Sequence, residues 1–107
     1  MFKFPKAGLF AAVTLAALSV GAAHAADGAA LYTAKTCVAC HGADAKTPIL
    51  PAYPKIAGQN ETYLLQQLQD IKSGARSNAM SAVMKAVMTS VSDEEMAALA
   101  TYVAGLK

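Results

Sequence analysis

The chain has 107 residues, 55% of them hydrophobic, with two cysteines, two histidines and a formal charge of +2; that length holds one small domain and leaves no room for a second. The +2 rests on Lys3 and Lys6 alone, because Lys35, Lys46, Lys55, Lys72, Arg76, Lys85 and Lys107 are matched in number by Asp27, Asp44, Glu61, Asp70, Asp93, Glu94 and Glu95. The apparent basic character therefore says nothing about nucleic acid or anionic membranes, and that class of function drops out.

Residues 1–25 read as an export leader. Lys3 and Lys6 form a short positive region, an uncharged apolar run follows to Val20, Gly21 breaks it, and Ala23-His24-Ala25 puts small residues where signal peptidase needs them. An uncleaved anchor ranks second, since the run is barely long enough to span a bilayer and ends in a cleavage pattern. No cysteine stands beside the segment to carry a lipid. The expected product is a soluble periplasmic chain, residues 26–107.

Cleavage removes all three phenylalanines and leaves four tyrosines, no tryptophan and much alanine. At about 25 cal/mol per Å² of apolar surface buried, so few bulky side chains struggle to offset chain entropy, and small domains in that position add disulfides, a metal or a large cofactor. Cys37 and Cys40 are too close in sequence for a useful disulfide loop.

Asp27 caps a predicted short helix over 28–36. Cys37-Val38-Ala39-Cys40-His41-Gly42 follows, then a stretch over 43–59 in which Pro48, Pro51, Pro54 and Gly58 exclude a regular helix. A loop that long in so small a domain has something to wrap around. Asn60 caps a helix over 61–73 ending at Gly74, with Leu64, Leu68 and Ile71 on one face. Met80, Val83, Met84, Val87, Met88 and Val91 recur at three- and four-residue intervals, which suggests a short helix. Ser92-Asp93-Glu94-Glu95 is a capping box opening the last helix, whose inner face is Met96, Leu99, Ala100 and Val103. No stretch alternates as a strand does. The expectation is an all-α fold of about four helices and one long loop.

Cys-x-x-Cys-His is the attachment sequence for a c-type haem. Two thiols about one helical turn apart can form thioethers with two vinyl groups, and the adjacent histidine then faces the iron. His41 is the one histidine of residues 26–107. A structural zinc site needs four ligands and only three such residues are present there, while a thioredoxin-like dithiol belongs beside a βαβ pattern that this chain lacks.

With these blocks in order, namely Gly28-Ala-Ala-Leu-Tyr32, Cys37 to Gly42, Pro54-Lys-Ile-Ala-Gly-Gln59, Tyr63 to Leu68, Gly74-Ala-Arg76 and Ser92 to Tyr102, residues 26–107 resemble a small class I cytochrome c of the bacterial c4 and c553 type. The chain departs from that pattern at Ala43-Asp44-Ala45-Lys46, where family members often carry a further glycine. The resemblance implies one haem c, covalent through Cys37 and Cys40, with His41 and a methionine as axial ligands. Met84 lies eight residues before Ser92, the family's spacing, and is the expected ligand; Met80, closer to Gly74-Ala-Arg76, is the alternative, and the remaining methionines are core. Pro54 resembles the proline whose carbonyl accepts the His41 ring N–H, and Arg76 a partner for a haem propionate. Gly28 and Tyr102 resemble the packing pair where first and last helices cross.

The implied function is single-electron carriage by Fe(III)/Fe(II) cycling, as a monomer, between transient redox partners: an oxidase, reductase or dehydrogenase of sulfur-compound, nitrogen-oxide or oxygen respiration. The rivals are a haem enzyme or gas sensor with an open iron position, and an electron-transfer subunit of a larger periplasmic oxidoreductase.

Overall fold

A computed structural model describes residues 26–107, so the leader expected over residues 1–25 lies outside the described part. Five helices follow in order: α1 (Gly28–Ala34), α2 (Cys37–His41), α3 (Glu61–Ser73), α4 (Ser81–Met88) and α5 (Asp93–Ala104). No strand occurs among the described residues, as expected of an all-α, class I cytochrome c fold. The count exceeds the expected four by α2, and α1 stops at Ala34 rather than 36, because Thr36 turns left-handed (φ 65°) and restarts the chain as α2.

Local chemistry sets the ends. Asp27 Oδ1 accepts the N–H groups of Ala29 and Ala30 at 3.0 and 3.3 Å, and Asn60 Oδ1 accepts that of Tyr63 at 3.0 Å, each relieving unpaired donors at a helix start. Gly74 ends α3 with φ 92°, returning its N–H to Asp70 and Ile71. At α5 the capping box is complete: Ser92 Oγ accepts from Glu95 N–H and Glu95 Oε1 accepts from Ser92 N–H. The Ser92 N–H, reinforced by the Lys35 ammonium 3.5 Å away, holds the Glu95 carboxyl below the usual range.

Helix α5 packs against both α1 and α3, α3 against α4, and α1 against α2. The core these contacts enclose is thin in large side chains: Tyr32, Leu64, Ile71, Met88, Val91, Met96, Leu99, Ala100 and Val103. Tyr32 and Tyr102 pack rings with centroids 5.7 Å apart at the α1–α5 crossing. The long loop is laced to this frame by backbone bonds, Ile49 N–H to Cys40 O, Ile56 and Ala57 N–H to Ala45 O, and Gly58 N–H to Val103 O.

The path of that loop after His41 turns on Ala45, which is fully buried and left-handed (φ 59°), a conformation that glycine adopts without penalty. The Asp44 carboxylate supports the turn by accepting the N–H of Lys46 and of Thr47 and the Thr47 hydroxyl, and the Lys46 bond in particular lowers the Asp44 pKa. Relief of left-handed strain in Ala45→Gly, about 1 kcal/mol, offsets the lost methyl and the added unfolded-state entropy. We expect that variant to be neutral within about 1 kcal/mol in urea denaturation. Ala100→Gly, also a buried alanine but inside α5, is expected to cost about 2 kcal/mol. Equal costs at the two sites would refute the strain at Ala45.

Candidate haem-binding site

The motif Cys37 to His41 forms the whole of α2. One turn of helix separates the two sulfurs and brings His41 to the same end. Both cysteines are half-buried free thiols, and burial pushes the Cys37 thiol pKa up. Gly42 closes the helix at φ 90°, and a Cβ there would stand 2.3 Å from the Thr47 carbonyl oxygen, so only glycine fits the exit. Tyr32 reaches across from α1 and donates its hydroxyl to Gly42 O at 2.7 Å, pinning the end of α2. Burial, chiefly, and then the neighbouring Cys37, Tyr102 and Asp44 raise the Tyr32 pKa to about 12.

His41 is buried, and its Nδ1 lies 2.9 Å from the carbonyl oxygen of Pro54. A carbonyl only accepts, so the proton sits on Nδ1 and the lone pair on Nε2. Proline suits this position: with no N–H of its own, it leaves the loop backbone as an acceptor fixed by the ring's restricted φ.

These groups border a cavity of about 300 Å³ enclosed by α2, α3, α4, α5 and the long loop. Its walls are mostly apolar, with Leu64, Leu68 and Ile71 from α3 and Leu99 and Val103 from α5. The charged side chains on its lining are Lys55 and Arg76, both cationic. Arg76 donates from Nη1 to Gln67 Oε1 at 3.0 Å and from Nε to Asn78 Oδ1 at 3.4 Å. Met80, Met84 and Met88 follow one another at four-residue spacing on α4 and its cap, and all three line the cavity. Met80 is 41% exposed and Met88 is 2%, with Met84 between them. Met96 is core, buried on α5 away from the lining.

The structure thus brings Cys37, Cys40, His41, Pro54, Arg76, Met80 and Met84 to one cavity. Sequence reasoning missed the Tyr32 hydroxyl and the polar group Gln67, Asn78 and Ser81. Tyr32 carried a signal, four residues after Gly28 on the same helical face; Gln67, Asn78 and Ser81 carried none beyond Asn78 preceding an apolar-periodic run. The donor set fits haem c: two thiols one turn apart, an imidazole with a fixed free nitrogen, thioethers on the facing helix, apolar walls and cations but no carboxylates on the lining.

An all-helical frame with the Cys-x-x-Cys-His segment at such a cavity defines a c-type haem protein. The cytochrome c family model matches residues 25–107, and the chain belongs to that family, whose members hold haem c and carry electrons. It is 47% identical over 89 residues to cytochrome c4 of Pseudomonas aeruginosa, covering 81% of this chain and 42% of that one. It is 42% identical over 85 residues to the thiosulfate dehydrogenase electron acceptor of Stutzerimonas stutzeri, covering 73% of this chain and 38% of that protein. Among solved structures, cytochrome c4 of Acidithiobacillus ferrooxidans superposes with a TM-score of 0.63 at 30% identity, over 78% of this chain and 50% of that one. The chain therefore spans less than half the length of the two relatives. No described helix is long and apolar enough to cross a membrane.

Proposed function

We propose that residues 26–107, released from a leader cleaved after Ala25, form a periplasmic monohaem carrier that passes single electrons between transient redox partners. The observation that carries this reading is His41: buried, its proton fixed on Nδ1 by Pro54, and facing a cavity lined on another side by Met80 and Met84. Haem, when bound, supplies the one-electron iron couple. Cys37 and Cys40 would hold it covalently through their sulfurs, and the Nε2 lone pair of His41 would be available to the iron. Met84 would supply a thioether sulfur as the second protein ligand, and a His and Met pair raises the potential relative to two nitrogens. Pro54 keeps the imidazole in one tautomer and one orientation, so the ligand frame moves little between oxidation states. The walls from α3 and α5 exclude water, and Arg76 offers its guanidinium to a propionate. Among the described residues, the lining carries no carboxylate and no histidine besides His41. The name of the Stutzerimonas relative supports a dehydrogenase acting on a sulfur compound as the electron donor.

The test is carbon monoxide titration of the reduced, purified holoprotein alongside a haem-to-protein ratio. One haem per chain and resistance to carbon monoxide are expected. Ready binding would establish an open iron position and replace the carrier with a haem enzyme or gas sensor.

A further inference from the structure

Helix α4 packs against α3 and against no other described helix, yet it presents the methionines to the cavity. Its position is therefore set largely by the chain that leads into it. That segment holds a residue in an unfavourable conformation: Ala79, directly before Met80, is left-handed at φ 49°. Such a conformation persists only where surrounding bonds impose it.

The bonds converge on Asn78. Its Oδ1 accepts from Arg76 Nε and from Ser81 Oγ, each at 3.4 Å, and its backbone carbonyl accepts the Ser81 N–H at 3.0 Å. Arg76 is in turn tied to α3 twice, through its N–H to Asp70 O at 3.0 Å and its Nη1 to Gln67 Oε1 at 3.0 Å. Ser81 is buried in the first turn of α4. A single oxygen thus joins a guanidinium anchored on α3 to the first residue of α4, and the strained Ala79 lies between the two ends of that bracket.

We propose that Asn78 is a positioning residue for the axial ligand: its carboxamide oxygen, by accepting from Arg76 and Ser81 at once, locks the turn at Ala79 and sets where α4 presents its methionine. The proposal rests on the His and Met ligation argued above. It also gives Arg76 a task besides charge, because the guanidinium is engaged within the protein.

Only the acceptor matters in this bracket, so Asn78→Asp keeps it and Asn78→Ala removes it. In the holoproteins, Asn78→Ala is expected to weaken the methionine-to-iron charge-transfer band. Both bonds to Asn78 Oδ1 are long and the side chain is exposed, so their loss makes the detached state about threefold more populated and raises affinity of the reduced protein for carbon monoxide about threefold. Amide hydrogen exchange over residues 79–84 is expected to quicken by a similar factor. Asn78→Asp is expected to match the parent in all three. Ser81→Ala, which removes one of the two bonds, is the milder variant should Asn78→Ala fail to accumulate, and Ser81→Thr is its rescue.

A parent-like band and exchange rate in Asn78→Ala, or the same losses in Asn78→Asp, would overturn the bracket. If the parent itself lacks the band and binds carbon monoxide, the ligation reading fails instead. Hydrogen exchange then decides the bracket alone, with quickening confined to the alanine variants expected.

Discussion

Gly28→Ala is expected to destabilise the holoprotein by about 3 kcal/mol, the upper end of what an added methyl group costs in a tightly packed contact. The Cβ would stand 2.5 Å from the backbone oxygen of Ala98 and 2.6 Å from Tyr102 Cβ, both on α5, and neither is the free end of a flexible side chain. α1 must therefore back away from α5. That retreat carries Tyr32 with it, and Tyr32 both packs on Tyr102 and holds the end of α2 through Gly42 O. The damage consequently reaches the segment that bears His41. Gly105→Ala is the matched control: its φ is −81° and its nearest neighbours are 3.6 Å from the added carbon, so the same substitution is expected to be neutral or slightly stabilising. Urea midpoints of the two holoproteins measure the contrast. A cost at Gly28 below about 1 kcal/mol would mean that the crossing has slack the contact distances deny.

The elements legible in the sequence are those with a local cause. The capping box of α5 and the span of α3 between Asn60 and Gly74 emerge as read, because capping side chains and a left-handed glycine act within a few residues of themselves. The same logic hid α2: five residues carry no periodicity, and the residue that turns the chain into it is Thr36, where a glycine would have given warning. Ala45 hid the next turn in the same way. In the site, Cys37, Cys40 and His41 were legible from spacing alone. The partnership of His41 with Pro54 was legible only through the family resemblance, since it joins a side chain to a backbone oxygen thirteen residues on. The bracket at Asn78 has no such precedent in the pattern of residues; it exists because a bend after Gly74 returns the chain to the face of α3 that carries Gln67.

The methionines give the second large effect. Met84→Ala is expected to remove most of the methionine-to-iron charge-transfer band, lower the reduction potential and raise affinity of the reduced protein for carbon monoxide by about a hundredfold or more. Met80→Ala is expected to leave the band in place. The physical ground is where each thioether stands. Met80 caps α4, 41% exposed and adjoining the strained Ala79, where water competes for any vacant coordination position. Met84 lies one turn further in, on the same face and better shielded, and its backbone is held by the helix. Four residues along one face also make Met80 the nearest substitute, since neighbouring soft donors serve the same iron. Partial recovery of the band in Met84→Ala, removed in the double variant with Met80→Ala, is therefore the result that fits both residues' positions. Loss of the band in Met80→Ala alone would reverse the assignment and make the exposed, strained end of α4 the ligand-bearing one. The bracket at Asn78 would then act on its immediate neighbour rather than through a turn of helix, and the effect of Asn78→Ala would grow accordingly.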